Sequence, residues 1–206
     1  MNTWLKKTCT VGTLIVLLVS GGRSQDTTAG GWISLFDGET LAGWKVGEHP
    51  GTWQVEDGAI VTRGKRSHLF YTGPEQPFRD FVLRVDVYTE PHANGGIYFL
   101  TKYQANGWPE QGFEAQVNNT YIDWKKTGSL YGIKNVLFFS PARDRHWWTQ
   151  EIRVEGRHIV IKVDGKVTVD YTLKPGVRPD EGTIALQAHG PRSVVKYKDI
   201  RIQRLP

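Results

Sequence analysis

Residues 159–171 read Ile159-Val160-Ile161-Lys162-Val163-Asp164-Gly165-Lys166-Val167-Thr168-Val169-Asp170-Tyr171, and this stretch decides the fold. Ile159, Ile161 and Val163 alternate into Asp164-Gly165, and Val167, Val169 and Tyr171 alternate out of it. Side chains two apart on a strand share a face, so each arm presents one apolar face. A tight turn between twisted strands needs positive φ at both central positions, which Asp-Gly supplies, and the stretch reads as a β-hairpin. The same period of two spreads in both directions. Upstream, Ile152 and Val154 alternate with Glu151, Arg153 and Glu155, and Phe81, Leu83, Val85 and Val87 with Arg84, Asp86 and Tyr88. Downstream come Ile184, Leu186 and Ala188, then Val195, Tyr197, Ile200 and Ile202. No stretch holds a helical period over three turns, and 136–148 reads as loop. Many short strands with Gly-rich turns and no helices between them mean a sandwich or barrel. Strand number and length favour an all-β fold of two antiparallel sheets packed face to face in jelly-roll style. The absence of an internal repeat argues against a propeller.

The N-terminal end has a different character. Lys6 and Lys7 precede an apolar run from Val11 to Val19, and the small residues Gly22 and Ser24 follow it. A basic start, a short apolar run and a small-residue exit describe a secretory signal over 1–24, cut after Ser24. The alternative is an uncleaved anchor, disfavoured by the shortness of the run; no other apolar stretch approaches a membrane span. Residues 25–31 form a polar linker, and 32–206 one domain long enough to bury a core. Export would place the protein in the periplasm or outside the cell. The single cysteine, Cys9, lies before the apolar run, so the mature chain would have none. That excludes disulfides, thiolate metal sites and thiol nucleophiles. The whole chain carries +5, but Lys6, Lys7 and Arg23 belong to the signal and leave 23 basic against 21 acidic residues. So balanced a surface gives no reason to expect nucleic acid as a partner.

Two strands carry something beyond alternation. Phe113, Ala115 and Val117 point into the core, so Glu114, Gln116 and Asn118 project together from the other side. Ile184, Leu186 and Ala188 likewise point in, while Ala185, Gln187 and His189 point out. Solvent-facing polar residues are the default on antiparallel sheets. Here, however, paired amides stand beside Glu and His, and such side chains offer both donors and acceptors to hydroxyls. Should the two strands lie close together, Glu114, Gln116, Gln187 and His189 would converge on one cleft. The aromatic content, eight each of Trp, Tyr and Phe, fits a sugar ligand, because aromatic faces stack on sugar C–H faces. Trp53, Trp147 and Trp148 adjoin strands and read as core. Trp108 and Trp124 sit in loop segments beside the Glu114 strand and read as rim. The run from Lys125 to Gly132 follows that strand, so Lys126 and Tyr131 are candidates to reach over the cleft as donors or acid/base groups. Asn94-Gly95-Gly96 opens another strand, where glycines permit close approach of a ligand or a tight bend.

Other signatures are missing: no nucleophile elbow, no phosphate-binding loop and no His-Glu-x-x-His. His49, His68, His92, His146 and His158 show no metal-ligand spacing. Glu114 and His189, completed by carbonyl or water ligands, could hold a hard divalent ion such as Ca²⁺ or Mn²⁺. No organic cofactor is implied.

Taken jointly, several motifs resemble the 3-keto-disaccharide hydrolase domain family from Trp32 to Leu205. They are Leu35-Phe36-Asp37-Gly38 with Gly43-Trp44, Trp53-x-Val55-x-Asp57-Gly58, and Asp80-Phe81-x-Leu83-Arg84. Asn94-Gly95-Gly96-Ile97, Glu114-x-Gln116, the run from Thr127 to Gly132, and Leu186-Gln187-x-His189-Gly190 complete the set. The family pattern commonly has Asp soon after the Glu-x-Gln pair, where this chain has Asn118-Asn119. The resemblance implies a concanavalin A-like jelly roll and an exported enzyme that cleaves 3-keto-glycosides. A ketone at C3 acidifies the C2 proton; a base removes it, and the C1 aglycone leaves by β-elimination. Hydration of the resulting 2-hydroxy-3-keto-glucal completes a net hydrolysis, without the two spaced carboxylates of ordinary glycosidases. On this reading His189 is the C2 base or a metal ligand, and Glu114 the metal ligand or partner acid/base. Lys126 and Tyr131 polarise the ketone or protonate the leaving oxygen. Gln116, Gln187, Asn94, Asn118, Trp108 and Trp124 hold the sugar. The rival readings are a non-catalytic, lectin-like carbohydrate-binding module and a cell-envelope interaction domain.

Overall fold

The hairpin at residues 159–171 is present, with Asp164 at φ 47° and Gly165 at φ 76°. The structure is a computed structural model that describes Met1, Thr27–Thr28 and residues 31–206. The expected signal over 1–24 therefore lies outside the described residues, Met1 apart. In chain order the strands are β1 (Thr27–Thr28), β2 (Trp32–Ser34), β3 (Trp44–Val46), β4 (Trp53–Glu56), β5 (Ala59–Thr62), β6 (Ser67–Tyr71) and β7 (Phe81–Thr89). They continue as β8 (Gly95–Thr101), β9 (Phe113–Val117), β10 (Trp148–Glu155), β11 (His158–Val163), β12 (Lys166–Thr172), β13 (Thr183–Ala188) and β14 (Val195–Arg204). Among the described residues the helical content is one 3₁₀ turn, Pro50–Thr52, and no helix is long and apolar enough to cross a membrane. The strand β1 falls inside the segment read as linker and pairs with β2.

Two antiparallel sheets result. One runs β1-β2-β14-β7-β10-β11-β12, with β5 also pairing to β14 and β4 to β5; the other runs β3-β6-β13-β8-β9. The apolar sets read from the sequence fill the space between them. Phe81, Leu83, Val85 and Val87 of β7 share one buried cluster with Ile152 and Val154 of β10. From the opposite sheet Phe113, Ala115, Val117, Ile184, Leu186 and Ala188 join the same cluster. Each large apolar side chain removed from water there contributes roughly 1.5–3 kcal/mol, which is the main driving force for the sandwich.

Two expectations about the core fail locally. Val167 is 56% exposed, because a register shift falls between Ile161 and Lys162 and makes Thr168 the extra residue of β12. Val167 then pairs with outward-facing Lys162, while Val169 returns to the core opposite Ile161. Trp147 is 41% exposed, whereas its neighbour Trp148 is buried. One residue along an extended chain reverses the face, so Trp147 lies against Tyr88 at 5.5 Å with the Lys198 ammonium 4.3 Å from its ring.

The outer face of the five-stranded sheet is not an ordinary wet surface. Every residue of β6, β8 and β13 is buried, and Phe70, Tyr98 and Ala185 form a second small cluster on that side. The β8–β9 connection covers part of it, with Tyr103 packed on Phe70 at 5.4 Å and Trp108 on His68 at 5.4 Å. The free edge of β9 is covered too. Gln116 N–H donates to Ser129 O at 3.0 Å, Gly128 N–H to Gln116 O at 3.0 Å, and Tyr131 N–H to Glu114 O at 2.9 Å. That pairing brings the 118–131 segment back beside the polar residues of β9.

Candidate active site

The polar faces of β9 and β13 meet, although the strands are not neighbours: β8 lies between them. Register sets two rows across the outer face. One runs Glu114, Tyr98, Ala185, Phe70, and the next Gln116, Gly96, Gln187, His68. Gly96 is the empty place in the second row. A Cβ there would overlap the Glu114 side chain. Without one, Glu114 leans across β8 and accepts a hydrogen bond from Gln187 Nε2 at 2.9 Å. Gly95 serves the other face, where a Cβ would fall 2.6 Å from the Tyr197 hydroxyl. That buried hydroxyl donates to Gln187 O at 3.0 Å and so ties β13 to the core.

A cavity of about 330 Å³ opens over these rows, lined by Asn94, Tyr98, Trp108, Glu114, Gln116, Tyr121, Asp123, Tyr131, Gln187 and His189. Of the residues singled out in the sequence, Glu114, Gln116, Gln187, His189, Asn94, Trp108 and Tyr131 are thus brought together. Gln116 and Gln187 are floor rather than surface, each 2% exposed. Two buried acceptors, Asn94 Oδ1 and Gln187 Oε1, have no hydrogen-bond partner. An unmatched buried acceptor is costly, so these atoms call for donors from a ligand or from ordered water.

Lys126, Asn118 and Trp124 do not line the cavity. The Lys126 ammonium is turned away and donates to the Tyr121 carbonyl at 2.7 Å. Asn118 Nδ2 donates to the Asp123 and Lys125 carbonyls at 2.9 and 2.8 Å. Both are buried, and both shape the loop that presents Tyr121 and Asp123 to the cleft. The next residue, Asn119, is similarly engaged and accepts from Thr127 Oγ1 and Ser140 Oγ at 2.6 Å each. Trp124 is half exposed farther along the loop, with its ring 6.3 Å from Phe138.

Tyr98, Tyr121 and Asp123 went unnoticed in the sequence. Tyr98 carries a usable signal, because it stands two residues after Gly96 and so on the same face. Tyr121 and Asp123 lie in a loop without periodicity and carry none.

Burial sets the protonation of the site. It pushes the Glu114 carboxyl up to about 7, against hydrogen bonds from Tyr98 and Gln187 that favour the anion. It also holds His189 below its ordinary value of 6.5, against the nearby Asp123 charge. His189 is packed between Trp108 at 5.5 Å and Tyr121 at 5.3 Å, which explains the desolvation. Near neutrality the cleft therefore offers an unprotonated imidazole beside a carboxyl that is often protonated, inverting the usual order of the two groups. Behind them His68 is pushed down to about 4 by burial and by Arg66. Its Nε2 is buried without a partner, as is Oε1 of its cross-strand neighbour Gln187.

Glu114 and His189 line the same cavity. Among the described residues no three His, Cys, Asp or Glu side chains are placed to hold a metal. A Ca²⁺ or Mn²⁺ ion here would be held by Glu114 and His189, with carbonyl, water or substrate oxygens completing its shell.

A family model described as a 3-keto-alpha-glucoside-1,2-lyase-like domain matches residues 31–203. No curated protein shows significant sequence similarity to the chain. Among solved structures, an inferred glycosyl hydrolase from Parabacteroides distasonis superposes with TM-score 0.73 at 22% identity, over 89% of this chain and 98% of that one. A Bacillus subtilis protein of unknown function with a galectin-like fold gives 0.60 at 10%, covering 80% and 90%. The carbohydrate-binding module CBM66 from Bacillus subtilis gives 0.57 at 14%, covering 77% and 94%. At such identities these likenesses establish the jelly-roll-like sandwich and nothing finer.

Proposed function

Because the chain belongs to the 3-keto-alpha-glucoside-1,2-lyase-like domain family, a carbohydrate-active family, we propose that it cleaves 3-keto-glycosides by β-elimination. The observation that carries this reading is the inverted pair in one cleft, His189 held neutral and Glu114 held toward its acid form. Elimination needs that combination. A base takes the C2 proton, whose acidity comes from the C3 ketone; the electrons form an enolate and then the C1–C2 double bond. The C1–O pair leaves with the aglycone, which takes a proton from an acid. His189 is the base, and Glu114 is the acid at the leaving oxygen. In a hydration step the roles reverse: Glu114 accepts a proton from water attacking C1, and protonated His189 returns one to C2.

The remaining lining residues bind and orient. The unpartnered Asn94 Oδ1 and Gln187 Oε1 accept from sugar hydroxyls. Gln187 Nε2 and the Tyr98 side fix the Glu114 carboxyl against the sheet. Tyr131, whose hydroxyl donates to Asp123 Oδ2 at 3.1 Å, borders the opening. Developing negative charge on the ketone oxygen would be met by hydrogen-bond donors of the cleft. Export to the periplasm or beyond belongs to this reading and rests on the 1–24 segment alone.

The test is turnover of a 3-keto-glucoside against the matching ordinary glucoside, with and without chelator. Release of aglycone only from the keto sugar, reduced by about 10²-fold or more in His189→Ala and Glu114→Gln, supports the enzyme. Tight binding of both sugars without turnover would point instead to a carbohydrate-binding module on the same sandwich. Loss of turnover with chelator would bring an ion into the cleft with substrate oxygens among its ligands.

A further inference from the structure

Between residues 122 and 139 the surface carries Ile122, Trp124, Tyr131, Leu137, Phe138 and Phe139, with Ile122 90%, Phe138 66% and Phe139 85% exposed. Scattered apolar residues need no explanation, but a contiguous group marks a binding surface. This one is continuous with the cleft. Asp123 and Tyr131 of the same loop line the cavity. The Lys125 ammonium lies 4.1 Å from the Tyr131 ring and 5.4 Å from the Trp124 ring. Trp124 and Phe138 are 6.3 Å apart at 31°, and Phe138 N–H donates to Trp124 O at 2.9 Å. An aromatic shelf thus leads outward from Tyr131 over Lys125 and Trp124 to Phe138.

The cavity floor is rich in amides and carboxylates, and its 330 Å³ accommodates a sugar ring. A glycoside seated there must send its C1 substituent out over the rim. The outer shelf is more apolar than that floor. Phe138, Phe139, Ile122 and Leu137 have no hydrogen-bonding edge, and they match a planar apolar group. We infer that the 121–139 loop is the aglycone subsite of the cleft and selects glycosides with an aromatic aglycone, held on Trp124 and Phe138. This rests on the elimination reading for the sugar but makes a separate claim about its leaving group. Lys125 adds a positive charge where the departing oxygen emerges, which favours an acidic leaving group such as a phenol.

The experiment compares the 3-keto-glucosides of 2-phenylethanol and ethanol, alcohols of similar leaving ability, with a 3-keto-disaccharide as third substrate. Wild-type protein is expected to favour phenylethyl over ethyl by about tenfold in kcat/KM, mainly through KM. Phe138→Ala should erase the preference by slowing only the phenylethyl substrate, and Phe138→Tyr should keep it. Equal loss on both substrates in Phe138→Ala, no preference in the wild type, or a disaccharide favoured over phenylethyl would overturn the assignment. So would binding to phosphatidylcholine–phosphatidylglycerol vesicles that Phe138→Ala abolishes without changing selectivity, since the shelf would then face a membrane. If no keto-glucoside turns over, the elimination reading fails, and the subsite is read by binding of unoxidised 2-phenylethyl glucoside, followed by tryptophan fluorescence. Binding that Phe138→Ala weakens supports the subsite, and its absence sinks it.

Discussion

At the scale of single residues the site depends on two groups whose protonation is set by burial. Glu114 is a carboxyl raised to about 7 from an ordinary 4.5. The folded protein holds a proton there that the unfolded chain releases above about pH 4.5, so stability falls as pH rises toward 7 and the loss is complete above it. Glu114→Gln is therefore expected to be more stable than wild type by up to about 3 kcal/mol at pH 8, with the difference vanishing near pH 4. Denaturant melts at the two pH values would show it; equal stability at both would mean that Glu114 is well solvated. Catalysis should carry the same signature. The kcat/KM profile is expected to be bell-shaped, rising as His189 loses its proton below pH 6.5 and falling above about 7 as Glu114 ionises. Glu114→Gln should remove the alkaline limb from whatever activity remains, and His189→Ala the acid limb.

At the scale of elements, two adjacent glycines of β8 separate stability from function. Alanine at Gly96 meets the far end of the flexible Glu114 side chain, so the protein should fold but lose the Glu114–Gln187 contact and most of its activity. Alanine at Gly95 meets the Tyr197 hydroxyl at 2.6 Å, the Gln187 carbonyl at 3.1 Å and Val195 Cγ2 at 3.1 Å. Those atoms are packed in the core, and overpacking of this kind costs about 1–3 kcal/mol. Thermal melts and activity measured together would distinguish the two variants, and a Gly96→Ala enzyme as active as wild type would contradict the geometry. The pair also marks how far the sequence could be read. Period two placed Glu114, Gln116, Gln187 and His189 on outward faces, because side-chain direction is a local property of a strand. It did not place β8 between them, because which strand lies between two others depends on long-range pairing that no local pattern encodes. Gly96 reads in sequence as room for a ligand or a tight bend, and its purpose appears only when Glu114 and Gln187 stand on either side of it. Lys126 and Asn118 failed as cleft residues for the converse reason: in a loop, direction follows specific hydrogen bonds, here to the Tyr121, Asp123 and Lys125 carbonyls.

At the scale of the molecule, the sandwich supplies a rigid floor and the loops supply the roof. The inter-sheet core runs from Leu35 to Ile202 and fixes the five-stranded sheet, so the two polar rows keep their register. Loops 102–112 and 118–131 then close over that sheet, desolvate Glu114 and His189, and bring Trp108, Tyr121 and Asp123 to the opening. A lectin-like module could use the same floor, but it gains nothing from an imidazole held neutral and a carboxyl held toward its acid form. Chemistry at C2 of the sugar is what separates an enzyme from such a module, and an isotope at that carbon tests it most directly. With a 3-keto-glucoside carrying deuterium at C2, the expected result is a normal primary isotope effect on kcat/KM and loss of the label from C2 in the sugar product, beyond the exchange seen without enzyme. Aglycone release at an unchanged rate, with the deuterium retained, would mean direct displacement at C1 and contradict elimination.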